Sequence, residues 1–189
     1  MHQGIRTLTM ALLGLALALP LAGRSAPFSI MLAEKGEARF PVAVSTGATA
    51  RVLTAATNLA EQLTRITGAP FAVAAGEGLA GLAVGVPGDF PKLPVTTDFQ
   101  PQLPTGREDY LLQTHAGGVY LLGATELAVE HAVWDFLYRL GFRQFFPGPH
   151  WEIVPTRPRL EVALDTLQRP DFNSRTMSSA TSRRGVDSF

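Results

Sequence analysis

The residues best suited to chemistry are a handful of acids, histidines and serines spread over the second half of the chain. Two carboxyls held about 5 Å apart, or about 6.5–9.5 Å apart around a water, can cleave a glycosidic bond. Glu108 and Asp109 are neighbours in an extended run, so their side chains point to opposite faces. Glu126 and Glu130 share one face of a predicted helix and, with Asp135, read as its solvated side. His115, His131 and His150 lack the HExxH spacing that would bring two imidazoles to one zinc ion. Ser45, Ser178 and Ser179 have no strand–turn–helix elbow around them. The run Gly76-Glu77-Gly78-Leu79-Ala80-Gly81 matches GxGxxG, but a strand follows it where a dinucleotide site needs a helix N-terminus. No catalytic residue, metal ligand or cofactor site is expected from these residues.

Composition narrows the classes further. The chain has 189 residues, 46% of them hydrophobic, which suits one domain with a proper core plus appendages. A formal net charge of zero supplies no field toward nucleic acid or an anionic membrane. The absence of cysteine excludes disulfides, thiolate metal sites and a cysteine nucleophile. The first ten residues carry Arg6 and no acid. A short Ala/Leu run from Ala11 to Leu21 and small residues at Ala22, Gly23, Ser25 and Ala26 follow. That order reads as a secretory signal over 1–25, too short in its apolar part to span a bilayer comfortably. The expected mature N-terminus lies between Arg24 and Phe28, and the expected location is periplasmic or extracellular, with no membrane association after cleavage.

The elements that would position these residues follow from period and punctuation. Phe28–Glu34 reads as a strand, and Ala38–Val44 as a second one that Pro41 makes an edge or an irregular strand. From Ala50, Leu53, Ala56, Leu59 or Ala60, Leu63 and Ile66 recur at helical spacing until Gly68. Phe71–Ala74 and Leu82–Val86 read as strands. Asp89–Gly106, with four prolines, reads as an ordered loop or a mobile excursion. Glu108–Thr114 and Val119–Leu122 form a hairpin across Ala116-Gly117-Gly118, and Thr125 caps a helix over 126–140. Phe142, Phe145 and Phe146 then lead out to Pro147. Short extended pieces follow at Trp151–Pro155 and Leu160–Val162. Trp134, Trp151 and the Phe cluster could stack on a sugar, but helical spacing and the proline turn favour packing in the core or at a domain interface. The order β-β-α-β-β-β-β-α-β implies an α+β (mixed α/β) layer, a single sheet with two long helices.

Several of these segments together resemble a known pattern. They are Leu63-Thr64-Arg65-Ile66-Thr67-Gly68, Leu82-Ala83-Val84-Gly85, Asp109-Tyr110-Leu111-Leu112 and Val119-Tyr120-Leu121-Leu122-Gly123. Ala132-Val133-Trp134-Asp135-Phe136-Leu137, Leu140-Gly141-Phe142-Arg143 and Phe146-Pro147 complete the set. In order and spacing, over about 28–162, they resemble the N-terminal, domain-2-like domain of family 67 alpha-glucuronidases, family 20 beta-hexosaminidases and related bacterial glycoside-hydrolase-like proteins. The resemblance implies a sheet with its helices on one side, over 27–164. It implies an accessory domain of an exported hydrolase of carbohydrate metabolism. In those families the domain precedes a (β/α)₈ barrel that supplies the chemistry. Arg169-Pro170-Asp171-Phe172-Asn173-Ser174-Arg175 then resembles the junction, and 165–189 the poorly ordered start of a truncated barrel. By the same resemblance Arg175 is a substrate contact, although Thr176 stands where hexosaminidases have glycine. The chain alone is expected to be inactive, meeting glycan only through a barrel. The Phe142–Pro149 segment would face that barrel and, left open, would invite self-association. Alternative readings are a stand-alone exported carbohydrate-binding or protein-interaction module, or an enzyme working through Glu108, Asp109 or Glu130.

Overall fold

The computed structural model describes residues 27–170. The predicted signal segment 1–25 lies outside them, as do Ser178, Ser179 and Arg175. In chain order the described residues form β1 (Ser29–Glu34), β2 (Glu37–Ala38), β3 (Val42–Val44), α1 (Ala50–Thr67), β4 (Val73–Ala75) and β5 (Gly81–Gly85). Then come β6 (Tyr110–His115), β7 (Gly118–Gly123), α2 (Glu126–Arg139), β8 (Arg143–Gln144), β9 (Glu152–Ile153), β10 (Leu160–Ala163) and β11 (Asp165–Gln168). The architecture is the expected α+β layer.

Six strands form the main sheet in the order β11-β6-β7-β5-β3-β4. β4, β3, β5 and β7 run parallel, while β6 and β11 are antiparallel to their neighbours. Two smaller sheets accompany it, β10-β1-β2 and β8-β9. The expected second strand over 38–44 is split at Pro41. Glu37–Ala38 pairs with β1, whereas Val42–Val44 enters the main sheet. A proline has no N–H to donate to a ladder, so the chain changes sheets there. Asp165–Gln168, placed by sequence at the start of a following barrel, instead pairs with Tyr110–Gln113 as the outer strand of the main sheet.

Both long helices have the sequence-level start and stop signals. The Thr49 hydroxyl accepts from Val52 N at 3.4 Å and the Thr125 hydroxyl from Ala128 N at 3.3 Å, each satisfying one orphan donor of a first turn. Gly68 closes α1 at φ +75°, its N–H donating to Thr64 O, a conformation in which a Cβ would crowd the backbone. The buried stripe of α1 is Val52, Ala55, Ala56, Leu59, Ala60, Leu63 and Ile66. Leu53, expected on that stripe, is 42% exposed, because the step of one residue from Val52 turns it about 100° off the packed face. In α2 the stripe is Ala128, Val129, Ala132, Val133, Phe136 and Leu137.

Period-two alternation divides the main sheet between two cores. Leu82, Val84, Leu112, Val119 and Leu121 face the helices and join the larger cluster, which also takes in Ile30, Leu32, Leu160 and Val162 from the small sheet. Ala83, Leu111, Tyr120 and Leu122 face the other way and meet Phe90, with Leu93, Val95 and Phe99 partly buried beside it. The Pro-rich connection is thus an ordered cover over the second face. Gly123 sits where β7 turns into α2, and a Cβ there would run into Val129 N, so the glycine lets the helix start directly against the strand end.

Candidate functional site

The parallel strands bring three loops and two helix N-termini to one edge of the sheet. Ser45 follows β3, Gly76 follows β4, Val86 follows β5 and Thr125 follows β7. In open α/β sheets ligands tend to sit at this carboxyl edge. One cleft there, of about 330 Å³, is bordered by Ser45, Thr46, Gly76, Glu77, Asp89 and Lys92. Its polar groups are mostly engaged. Lys92 Nζ pairs with Glu77 at 2.5 Å, the Ser45 hydroxyl accepts from Gly47 N at 3.3 Å, and Asp89 Oδ2 accepts from Val86 N at 2.9 Å. The GxGxxG stretch lies beside this cleft and runs into β5, so no helix dipole points along it.

A second cleft, of about 680 Å³, opens at the start of α2 between Arg51, Arg107, Glu108, Thr125, Glu126 and Leu127. Arg51 reaches from α1 to α2 and holds Glu130 with two bonds, at 2.6 and 3.1 Å. That pairing pushes the guanidinium pKa above its ordinary value. The Thr125 hydroxyl donates to Arg107 O at 2.7 Å, which fixes Arg107 at the helix start. Glu108 Oε2 lies 3.5 Å from His131 Nδ1. Of these residues the sequence reading singled out Glu108, Glu126, Glu130 and His131. It missed Arg51 and Arg107, because nothing within either local segment says that α1 and the loop before β6 meet α2.

Glu108 and Asp109 do separate, but not as strand neighbours. Glu108 ends a single 3₁₀ turn over Gly106–Glu108, and Asp109 is the residue before β6. Asp109 is buried on the opposite side, where its carboxylate lies 3.8 Å from Arg169 Nε. Burial pushes the Asp109 pKa up, and Arg169 only partly opposes this. Arg169 itself bonds Asp98 through its backbone oxygen at 2.9 Å and its carboxylate at 2.7 Å. Gln168 pairs with Tyr110, and Tyr110 with Gly123, so the described chain leaves the sheet at the carboxyl edge, beside the start of α2.

The histidines are dispersed. His115 ends β6, stacks on Tyr120 at 3.9 Å between ring centroids, and accepts from Gly117 N at its Nδ1. Burial lowers its pKa. His150 lies in the exposed 3₁₀ turn Pro149–Trp151. Among the described residues no three His, Asp or Glu side chains converge as metal ligands, and no helix is long and apolar enough to cross a membrane.

The aromatic exit divides. Phe142 is buried in the helix-side core, its ring 6.0 Å from Trp134. Phe145 and Phe146 are 62% and 60% exposed, and Trp151, in edge contact with Phe146, is 53% exposed. Arg143 braces this corner. Its Nη1 donates to Tyr138 O and Phe142 O, and its guanidinium lies 3.4 Å from the Tyr138 ring centroid. A cleft of about 570 Å³ opens there between Trp134, Tyr138, Phe142, Arg143, Gln144 and Phe145.

Fold and site together define an α+β domain with a mixed six-stranded sheet, a charged cleft at its carboxyl edge and an exposed aromatic corner. No known family matches the chain by its sequence model, and no curated protein matches it. Among solved structures it is similar to Streptomyces plicatus N-acetyl-beta-hexosaminidase in complex with Thio-NAglucal, at 20% identity and a TM-score of 0.46. The match covers 76% of this chain and 23% of that one, so the chain spans less than a quarter of that enzyme's length. The α+β assignment rests on the strands and helices themselves.

Proposed function

We propose that this chain is a non-catalytic accessory domain of an exported glycoside hydrolase acting in carbohydrate metabolism. The sequence resemblance over 28–162 motivates the reading. The observation that carries it is the fate of the candidate acids. Glu130 is held by Arg51, Asp135 by Arg139 and Asp109 by Arg169, while Glu108 lies near His131 on the other side of the sheet from Asp109. Glu130 and Asp109 tie separate elements together and Asp135 pairs within α2, so these are not two carboxyls facing one space. In this reading the aromatic exit, Phe142–Pro149, meets a following catalytic domain, and Arg175 contacts glycan there.

Two assays test it. The purified chain is expected to leave aryl glycosides intact, and turnover abolished by Glu108→Gln or Glu130→Gln would replace this reading with that of an enzyme. N-terminal sequencing of exported protein is expected to begin between Arg24 and Phe28, and recovery of Met1 would remove the export element. A second reading, a stand-alone carbohydrate-binding or protein-interaction module, draws on the exposed Phe145, Phe146 and Trp151 rings. Glycan-array binding lost on Trp151→Ala would favour it.

A further inference from the structure

The connections that leave β3 and β5 diverge. These strands are parallel neighbours in the main sheet. From β3 the chain passes through 45–49 into α1, on the helix face, and on to β4 at the outer edge. From β5 it passes into the Pro-rich cover on the opposite face and on past β7 to β6. Two connections that leave adjacent strand ends for opposite faces open a crevice between them, and that is where ligands settle in open α/β sheets. The smaller cleft at the carboxyl edge lies there. Ser45 and Thr46 border it from the β3 exit, Glu77 from the β4 exit, and Asp89, Pro91 and Lys92 from the β5 exit. Its base is firm, because Phe90, between Asp89 and Pro91, is 2% exposed and anchored in the second core. Asp89 Oδ2 accepts from Val86 N, and a Cβ at Gly85 would lie 2.6 Å from that oxygen, so glycine leaves the carboxylate its seat.

We propose that this crevice binds a neutral, hydroxyl-rich small molecule of the size of a single sugar residue or a polyol. Its volume of about 330 Å³ sits at the small end of ligand pockets, which run roughly 300–1,000 Å³. The two carboxylates each spend one oxygen inside the protein, Asp89 Oδ2 on Val86 N and Glu77 Oε1 on Lys92 Nζ. The second oxygen of each keeps its capacity to accept from a hydroxyl. Ser45 Oγ accepts from Gly47 N and retains its own proton to donate, as does the Lys92 ammonium beyond its pairing with Glu77. Acceptors and donors thus border one small space, as a ring of hydroxyls requires. Other classes fit less well. Lys92 is answered by Glu77, and no arginine or histidine stands among the described residues bordering the cleft, so no positive excess is left for a phosphate or carboxylate. No aromatic ring borders it either, so a flat aromatic ligand finds no stacking partner. The site uses neither Phe142–Pro149 nor Arg175, so it stands apart from the hydrolase reading and survives its failure.

Amide chemical-shift titrations of the full chain test the site, with D-glucose, D-galactose, D-xylose and glycerol as probes and inorganic phosphate and phenol as controls. At least one of the four probes is expected to give saturable shifts in the millimolar range, centred on Ser45, Gly76 and Asp89. Asp89→Asn keeps an oxygen for Val86 N and should leave the circular dichroism melt intact, yet weaken binding about tenfold. Ser45→Ala should weaken it about threefold. Trp151→Ala, outside the crevice, should leave it unchanged. The absence of saturable shifts with all four probes would overturn the proposal. So would saturation by phosphate or phenol in their place, shifts centred on Phe145, Phe146 and Trp151, or binding indifferent to Asp89→Asn.

Discussion

The two faces of the six-stranded sheet are covered by different materials. On one face lie α1 and α2, packed against each other and against β3, β5 and β7, with the small sheet of β1 and β10 joining the same core. On the other lies the Pro-rich connection between β5 and β6, which offers Phe90 fully and Leu93, Val95 and Phe99 in part. Helices satisfy their own backbone groups and can present a continuous apolar stripe. A loop must spend side chains on its own backbone and anchors. The loop-covered face carries the buried Asp109 and the His115–Tyr120 stack, while Thr67 and Thr114 are buried on the helix side. Asp109, His115 and Tyr120, whose pKa values burial displaces, all lie on the loop-covered face.

That contrast can be broken most violently from the helix side. Phe136 is fully buried between α2 and the sheet, and Phe136→Ala is expected to cost about 3–5 kcal/mol, read as a shift of the whole urea unfolding transition. On the loop side Phe90→Ala is expected to cost about 3 kcal/mol, the low end for such a truncation, because a loop relaxes into the space more readily. Hydrogen exchange sharpens the comparison. The loop-side variant should open amides around Phe90–Phe99 before the sheet, whereas the helix-side variant should lower protection everywhere. Equal, global loss in both would show that the faces are one cooperative unit. A smaller effect is expected from Thr125→Ala, about 1 kcal/mol, since one cap bond to Ala128 N disappears.

The gentlest test concerns Asp109. Its folded pKa is raised, so its contribution to stability is complete below the ordinary carboxylate range of about 3.9 and is lost as pH rises through the higher folded value. Wild type should therefore lose stability relative to Asp109→Asn as pH climbs out of that range. His115 acts in the opposite sense. Its lowered pKa means that stability present above about 6.5 is lost as pH falls through the folded value. Denaturant midpoints of Asp109→Asn and His115→Gln against wild type across pH check both signs, and parallel curves for Asp109→Asn and wild type would show that Arg169 and the Gln100 backbone bond compensate fully for burial.

The helices were legible because caps and stripes are local. Thr49, Gly68 and Thr125 mark their ends within a turn or two of the residues they bond. The hairpin of β6 and β7 was equally plain. The strand split at Pro41 was half legible, since the proline announced irregularity but not the change of sheet. Asp165–Gln168 was read as part of a different domain, because a four-residue strand carries too little pattern to say which edge it joins. The site was less legible still. Glu130 and Arg51 are 79 residues apart, and Arg169 and Asp98 are 71 apart. No periodicity links such pairs.

The amino-acid sequence by itself determined the elements, their punctuation and the face each helix buries, because those depend on sterics and hydrogen bonds between near neighbours. Tertiary structure alone decided which acids became ties, which cover lay over the second face of the sheet, and which side of α2 stayed in water. Those outcomes depend on strand order and register, through which loop closure brings distant residues into reach at a cost that grows only slowly with their separation along the chain.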